Sequence, residues 1–112
     1  MIVKLIAGVL RSEHSVITAA SGIEALAIFE SYPDRIDLIV TDITMPGMSG
    51  VELVARLEEL HRCRFPVLFI TGASEYPIEA DRAVLSKPFS PTGLKDMVRQ
   101  LLQVHKGWRE HQ

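Results

Sequence analysis

Cysteine is nearly absent from this chain, which has one in 112 residues, and no uninterrupted apolar run approaches the length of a membrane span. The lone Cys63 excludes an internal disulfide, and with only His61 close by it does not make a metal site. A reduced, cytoplasmic setting fits, with Cys63 an inert thiol at a helix end. The opening Met1-Ile2-Val3-Lys4 has no basic region leading into an apolar stretch and no small-residue cleavage site, so no signal peptide is expected. Charge of one sign is also scarce: 12 Lys and Arg stand against 14 Asp and Glu, a formal net charge of -2, with no block of like charges. That argues against nucleic acid or a membrane surface as a direct partner. There is no internal repeat, low-complexity tract or linker. A chain of this length that is 47% hydrophobic supports one core, so residues 1–112 are expected to form a single domain, with a patternless, loose tail over 105–112.

What is present is an alternation of two periodicities. Ile2, Leu5, Ile6, Val9 and Leu10 fall at helical spacing, so the chain opens in a helix that buries one face. Ser15 to Ala20 is short and β-branched and reads as a strand. Ser21 then caps a helix expected over about Gly22 to Ser31, with Glu24 as the reciprocal partner of the capping box. Ile36 to Thr41 is a near-continuous apolar run suited to a strand buried on both faces, and Asp42 stands at its C-terminal end. Pro46-Gly47 breaks regular structure, and Ser49 with Glu52 repeats the capping box at the head of a helix running to about His61. Phe65 to Ile70 is the next strand. From Ala73 to Arg82 the pattern is weak, with Pro77 in the middle, and allows at most a short helix. Ala83 to Ser86 is a brief strand. Ser90 caps the last helix, Pro91 takes its first position, and Leu94, Met97, Val98, Leu101 and Leu102 form its buried stripe. This alternation predicts an α/β fold with a parallel sheet and helices on both faces.

In such a sheet, functional groups gather where strands end at the carboxyl edge. Successive strands there end in Asp42, Thr71 and Lys87. Taken singly, each has a plain reading: a turn-forming Asp, a Thr-Gly turn pair, a solvated lysine. Taken together, a carboxylate, a hydroxyl and an ammonium suit the acceptance and neutralisation of a phosphoryl group, where positioning and charge supply most of the catalysis. His14, His61, His105 and His111 are scattered, without the spacing of a metal or nucleophile site.

Three segments carry a family resemblance. Thr41-Asp42-Ile43-Thr44-Met45-Pro46-Gly47-Met48-Ser49-Gly50 resembles the phosphorylation loop of response-regulator receiver domains. Ile70-Thr71-Gly72 is similar to their switch residue, and Leu85-Ser86-Lys87-Pro88-Phe89 to their lysine turn. The resemblance implies a flavodoxin-like, doubly wound sheet, and a two-component phosphorelay in which Asp42 takes a phosphoryl group from a histidine kinase or phosphotransfer protein as an acyl phosphate. It further implies that Thr71 hydrogen-bonds a phosphoryl oxygen, that Lys87 pairs with another, and that Gly72 leaves room for the incoming group. Magnesium would be bound by Asp42 and the Thr44 backbone carbonyl, and Lys87-Pro88 would be a cis peptide.

Departures from the family pattern set further expectations. The family's first strand and the acidic pair that ends it have no counterpart from Met1 onward, so the sheet is expected to lack its central strand and magnesium binding to be weak or lost. Bare strand edges make self-association an expectation. Val84 stands where the family has an aromatic switch residue, and the stretch between Thr71 and Lys87 is short. Two other functions stay open. One is a receiver-like interaction module that works without phosphate. The other is a haloacid-dehalogenase-type phosphatase, whose motif wants a second Asp where Thr44 stands. The receiver reading makes the chain a signalling domain, and not an enzyme beyond transfer to and from its own Asp42.

Overall fold

The computed structural model describes residues 3–32, 35–43, 47–61, 65–72 and 82–110, with side chains through 103. Helix α1 spans Val3–Leu10, α2 Gly22–Ser31, α3 Gly50–His61 and α4 Pro91–Glu110; strands β1, β2 and β3 span Ile39–Asp42, Val67–Thr71 and Ala83–Ser86. Among the described residues the sheet is three-stranded in the order β1-β2-β3, and both pairings are parallel. Every residue of β2 is buried, as a central strand covered on both faces requires.

Two helical layers sandwich the sheet. On one face Leu10 of α1 and Leu94 and Val98 of α4 pack with Leu68 and Ile70. On the other, Val54 of α3 packs with Val67 and Phe69, while Phe29 of α2 meets Leu53 and Leu57 of α3. Alternation along β2 divides its side chains between the layers, the period-2 consequence of the pleat. The α/β class, the parallel sheet and the helices on both faces are as the sequence pattern predicts.

The helix starts follow their caps. Ser21 Oγ accepts from the Glu24 amide at 3.2 Å, Ser49 Oγ from the Glu52 amide at 3.1 Å and Ser90 Oγ from the Gly93 amide at 2.9 Å. Each satisfies an amide that the first helical turn leaves without a partner.

Four expectations need correction. Ser15 to Ala20, read as a strand, have no regular secondary structure, because a strand needs a bonded neighbour and none among the described residues pairs with them. The strand expected from Ile36 begins as a ladder only at Ile39, where Pro66 first offers a carbonyl to the Ile39 amide. Leu5, placed on the buried stripe of α1, is exposed, and Ala7 is buried with Leu10 instead. The tail does not lose structure at His105: α4 continues to Glu110, since no Pro or cap interrupts it. The weak stretch from Ala73 to Arg82 lies outside the described residues except for Arg82, and so do Thr44 and Cys63.

A surface link holds the end of α1 to α4. Arg99 Nε donates to Glu13 Oε1 at 2.7 Å, and its terminal nitrogen pairs with Glu13 Oε2. The hydrogen bond from Arg99 holds the Glu13 carboxyl below its usual value of 4.5. A carboxyl lowered on folding stabilises the fold above its unfolded pKa and loses that contribution as pH falls through the lowered one. The melting temperatures of wild type and Glu13→Gln should therefore differ slightly at neutral pH and converge on acidification below about 4.5. Both groups are solvent-accessible, so the difference is expected to be small.

Candidate functional site

Parallel register brings three strand ends to one edge of the sheet. Asp42 pairs in register with Ile70, and Thr71, one position on, pairs with Ser86. The chain then turns at Lys87, whose amide donates to the Thr71 carbonyl at 2.7 Å. That bond fixes where the lysine side chain departs. Its Nζ reaches Asp42 Oδ2 at 2.9 Å across 45 positions of sequence. Lys87-Pro88 is cis.

The Asp42–Lys87 pair is about one-third exposed at each side chain, 28% and 33%. Accessible pairs of this kind contribute little to stability, roughly 0–1 kcal/mol. Its interest is therefore local: an ammonium sits on a carboxylate oxygen at the end of β1. Thr71 is 5% exposed, so its hydroxyl is held at the floor of the edge and not in open solvent. A Cβ at Gly72 would come no nearer than 3.7 Å to Lys87 Cδ, an ordinary contact, so the glycine leaves space without being sterically required.

Behind Asp42 the structure shows two supports that sequence reasoning missed. Thr41 Oγ1 donates to the Asp42 carbonyl at 3.0 Å. Gly50, the first residue of α3, lies against that same carbonyl: a Cβ there would stand under 3.0 Å from both Asp42 O and Thr41 Oγ1. The Gly50 amide donates to the Ile43 carbonyl at 2.8 Å, so the helix start is tied to the end of β1. In the sequence Gly50 looks like an ordinary member of a capping box, and only the close approach gives it this role. Gly50→Ala is expected to lower stability by about 1–3 kcal/mol through overpacking against backbone that cannot yield, read as a drop in the urea midpoint at unchanged slope.

The Thr44 carbonyl, expected as a metal ligand, lies outside the described residues. Among the described residues no group of three or more His, Cys, Asp or Glu is gathered that could hold a metal ion. Asp42 supplies one carboxylate, and Lys87 already sits on it. The described residues do not build a magnesium site by themselves, because an octahedral hard cation wants several oxygen ligands at once.

Comparison with known proteins agrees with this geometry. The sequence profile of the response regulator receiver domain matches residues 1–99. The chain belongs to the response-regulator receiver family. It is 34% identical over 96 residues to the sensor kinase CckA of Brucella abortus, covering 80% of this chain and 10% of that one. It is also 33% identical over 102 residues to the alkaline phosphatase synthesis transcriptional regulatory protein PhoP of Bacillus subtilis, covering 83% of this chain and 40% of that one. The chain thus spans less than half the length of either relative. Among solved structures, a receiver domain protein from Clostridium thermocellum superposes with a TM-score of 0.83 at 24% identity, covering 94% of this chain and 88% of that one. NtrX from Brucella abortus, in complex with ATP, gives 0.83 at 28% identity, covering 97% of this chain and 26% of that one. The flavodoxin-like receiver fold is established by these likenesses. Receiver domains of this family are signalling domains that generally use magnesium. No helix among the described residues is long and apolar enough to cross a membrane.

Proposed function

We propose that residues 1–112 form one receiver domain of a two-component phosphorelay, in a reducing cytoplasmic setting, with Asp42 as its phosphoacceptor. The observation that carries this reading is the contact of Lys87 Nζ with Asp42 Oδ2 at 2.9 Å, at a sheet edge where Thr71 also ends a strand. A carboxylate oxygen of Asp42 attacks the phosphorus of a phosphohistidine in a histidine kinase or phosphotransfer protein. The P–N bond breaks as the P–O bond forms, and the imidazole leaves with a proton. Lys87 then moves its charge from the carboxylate to a phosphoryl oxygen, and the Thr71 hydroxyl donates to another. Positioning and neutralisation supply the rate here, since phosphoryl transfer asks little covalent chemistry of the protein. Magnesium, when bound, would neutralise further charge. Asp42 and the Thr44 carbonyl are the ligands this chain offers for it, and affinity should be weak.

That shortage of ligands favours a second reading, a receiver-like module whose partner binding does not depend on phosphate. One experiment separates the two. The chain is incubated with acetyl phosphate, with and without excess magnesium, and its intact mass is followed. Gain of a single phosphoryl mass, trapped on Asp42 by borohydride reduction and peptide mapping, supports the phosphoacceptor. A label on Asp37 or Asp81 contradicts the assignment to Asp42. An unlabelled chain at all magnesium concentrations leaves the module reading in its place.

A further inference from the structure

The three described strands start from one clamp, at the edge of the sheet opposite Asp42. Arg82, the residue before β3, donates to the Phe65 carbonyl at 2.9 Å and to Glu58 Oε1 of α3. Glu58 Oε2 accepts from the Phe65 amide at 2.8 Å, so both backbone groups of Phe65 are held. The next carbonyl, that of Pro66, accepts from the Ile39 amide at 3.1 Å and begins the β1–β2 ladder. The clamp is well shielded, with the Arg82 side chain 8% exposed and that of Glu58 20%.

Each strand that leaves the clamp arrives at a residue of the candidate site. β1 ends at Asp42, β2 ends at Thr71, and β3 runs into Lys87. From Arg82 to Lys87 is roughly 17 Å of extended chain. β3 is the strand least able to hold itself in place. It is four residues long, it bonds only β2 among the described residues, and its side chains alternate between half-buried and exposed. Ala83 and Leu85 supply its contacts with the core. The Asp42–Lys87 pair cannot anchor it, since a pair about one-third exposed holds weakly against solvent. Arg82 is better placed to do so, because its guanidinium makes two bonds from one rigid fork in a shielded site.

We infer that Arg82, seated on Glu58, is a positioning residue for phosphoryl transfer: it fixes where β3 starts along β2 and so keeps Lys87 Nζ on Asp42 at the far edge. The inference rests on the reading of Asp42 as phosphoacceptor. Two bonds hold the ends of the short strand, from Arg82 to the Phe65 carbonyl and from the Lys87 amide to the Thr71 carbonyl at 2.7 Å. Together they oppose both sliding and tilting against β2. With the first loosened, the strand is fastened at one end only, and the direction in which the lysine side chain leaves it is free to vary. Misplacing a catalytic group by about 1 Å can cost as much as a hundredfold in rate, so a distant anchor has a chemical effect.

The test uses the whole chain with Arg82→Lys, which keeps the charge but lacks the fork that spans Glu58 and the Phe65 carbonyl. One measurement is the NMR shift of the Asp42 carboxyl carbon in aspartate-labelled protein at neutral pH. Lys87→Ala gives the shift of an Asp42 without its ammonium. Arg82→Lys is expected to move the wild-type signal part of the way to that value, and to move it no further in a Lys87→Ala background. Glu13→Gln, which cuts the ion pair to Arg99, should leave the signal in place. The other measurement is phosphoryl uptake from acetyl phosphate. Arg82→Lys should lower the saturating rate by about tenfold with the half-saturating concentration unchanged, and should add nothing to Lys87→Ala. If Arg82→Lys does not fold, Glu58→Gln, which weakens the same seat from α3, is expected to give the same changes. An Asp42 signal that stays put, or that moves as far with Glu13→Gln or without Lys87, overturns the inference. So does a loss of uptake that adds to that of Lys87→Ala. A wild type that takes no label removes the acceptor reading alone, and the carbon shift then decides whether Arg82 places Lys87.

Discussion

Asp42→Asn should abolish phosphoryl uptake, leaving the intact mass unchanged under conditions in which wild type gains one phosphoryl group. The carboxamide is isosteric and can still accept a hydrogen bond from Lys87 Nζ, now 2.9 Å from Oδ2. It is not nucleophilic enough to form an acyl phosphate. Folding should be almost unaffected, since the pair it neutralises is partly exposed and contributes on the order of 1 kcal/mol at most. Lys87→Ala makes the complementary case. The nucleophile remains and the charge beside it is gone, so the rate of uptake should fall by about a hundredfold or more while the melting temperature stays nearly constant. A Lys87→Ala protein that labels at the wild-type rate would remove the lysine from the reaction. An Asp42→Asn protein that still labels would move the acceptor elsewhere.

Arg82→Leu should produce a large loss of stability, for reasons remote from the chemistry. Arg82 is 8% exposed at its side chain, and it donates to the Phe65 carbonyl at 2.9 Å and to Glu58 Oε1. Glu58 Oε2 in turn accepts from the Phe65 amide at 2.8 Å. One ion pair thus joins the last turns of α3, the approach to β2 and the start of β3. Removing one partner of this part-buried pair leaves the Glu58 carboxylate without its cation, at a cost on the order of 1–3 kcal/mol. For a domain of this size that corresponds to a drop in melting temperature on the order of 10 °C. Adding Glu58→Gln to Arg82→Leu should recover part of the loss, because the amide keeps an acceptor for Phe65 without an unpaired charge. If the double variant is no better than the single, the cost lies in packing and not in the uncompensated carboxylate.

Asp42, Thr71 and Lys87 were legible in the sequence because each closes an apolar run, and a parallel sheet sends such run ends to one edge. Helix starts were legible at Ser21, Ser49 and Ser90, since a cap needs only a side chain and an amide three positions away. These are local rules, so local sequence determines them. The ladder was not local in this sense. Ser15 to Ala20 has the composition of a strand, yet a strand exists only where a neighbour bonds it, and among the described residues none pairs with it. The course of α4 past His105 also escaped the pattern, as backbone hydrogen bonds can extend a helix where side chains show no apolar stripe.

What only the tertiary structure decided are the contacts between residues far apart in sequence. Lys87 meets Asp42 across 45 positions, and Arg82 meets Glu58 across 24. In the sequence Glu58 belongs to the polar side of α3 and Arg82 to a stretch with weak pattern, so neither announces a part-buried charge pair. Gly50 carries no mark of the carbonyl that presses on it. Composition and periodicity determined which elements form and which faces they bury, because those depend on neighbours a few residues away. Register, layer packing and close approach depend on where distant segments come to rest, and that is settled only when the sheet and its two helical layers are assembled.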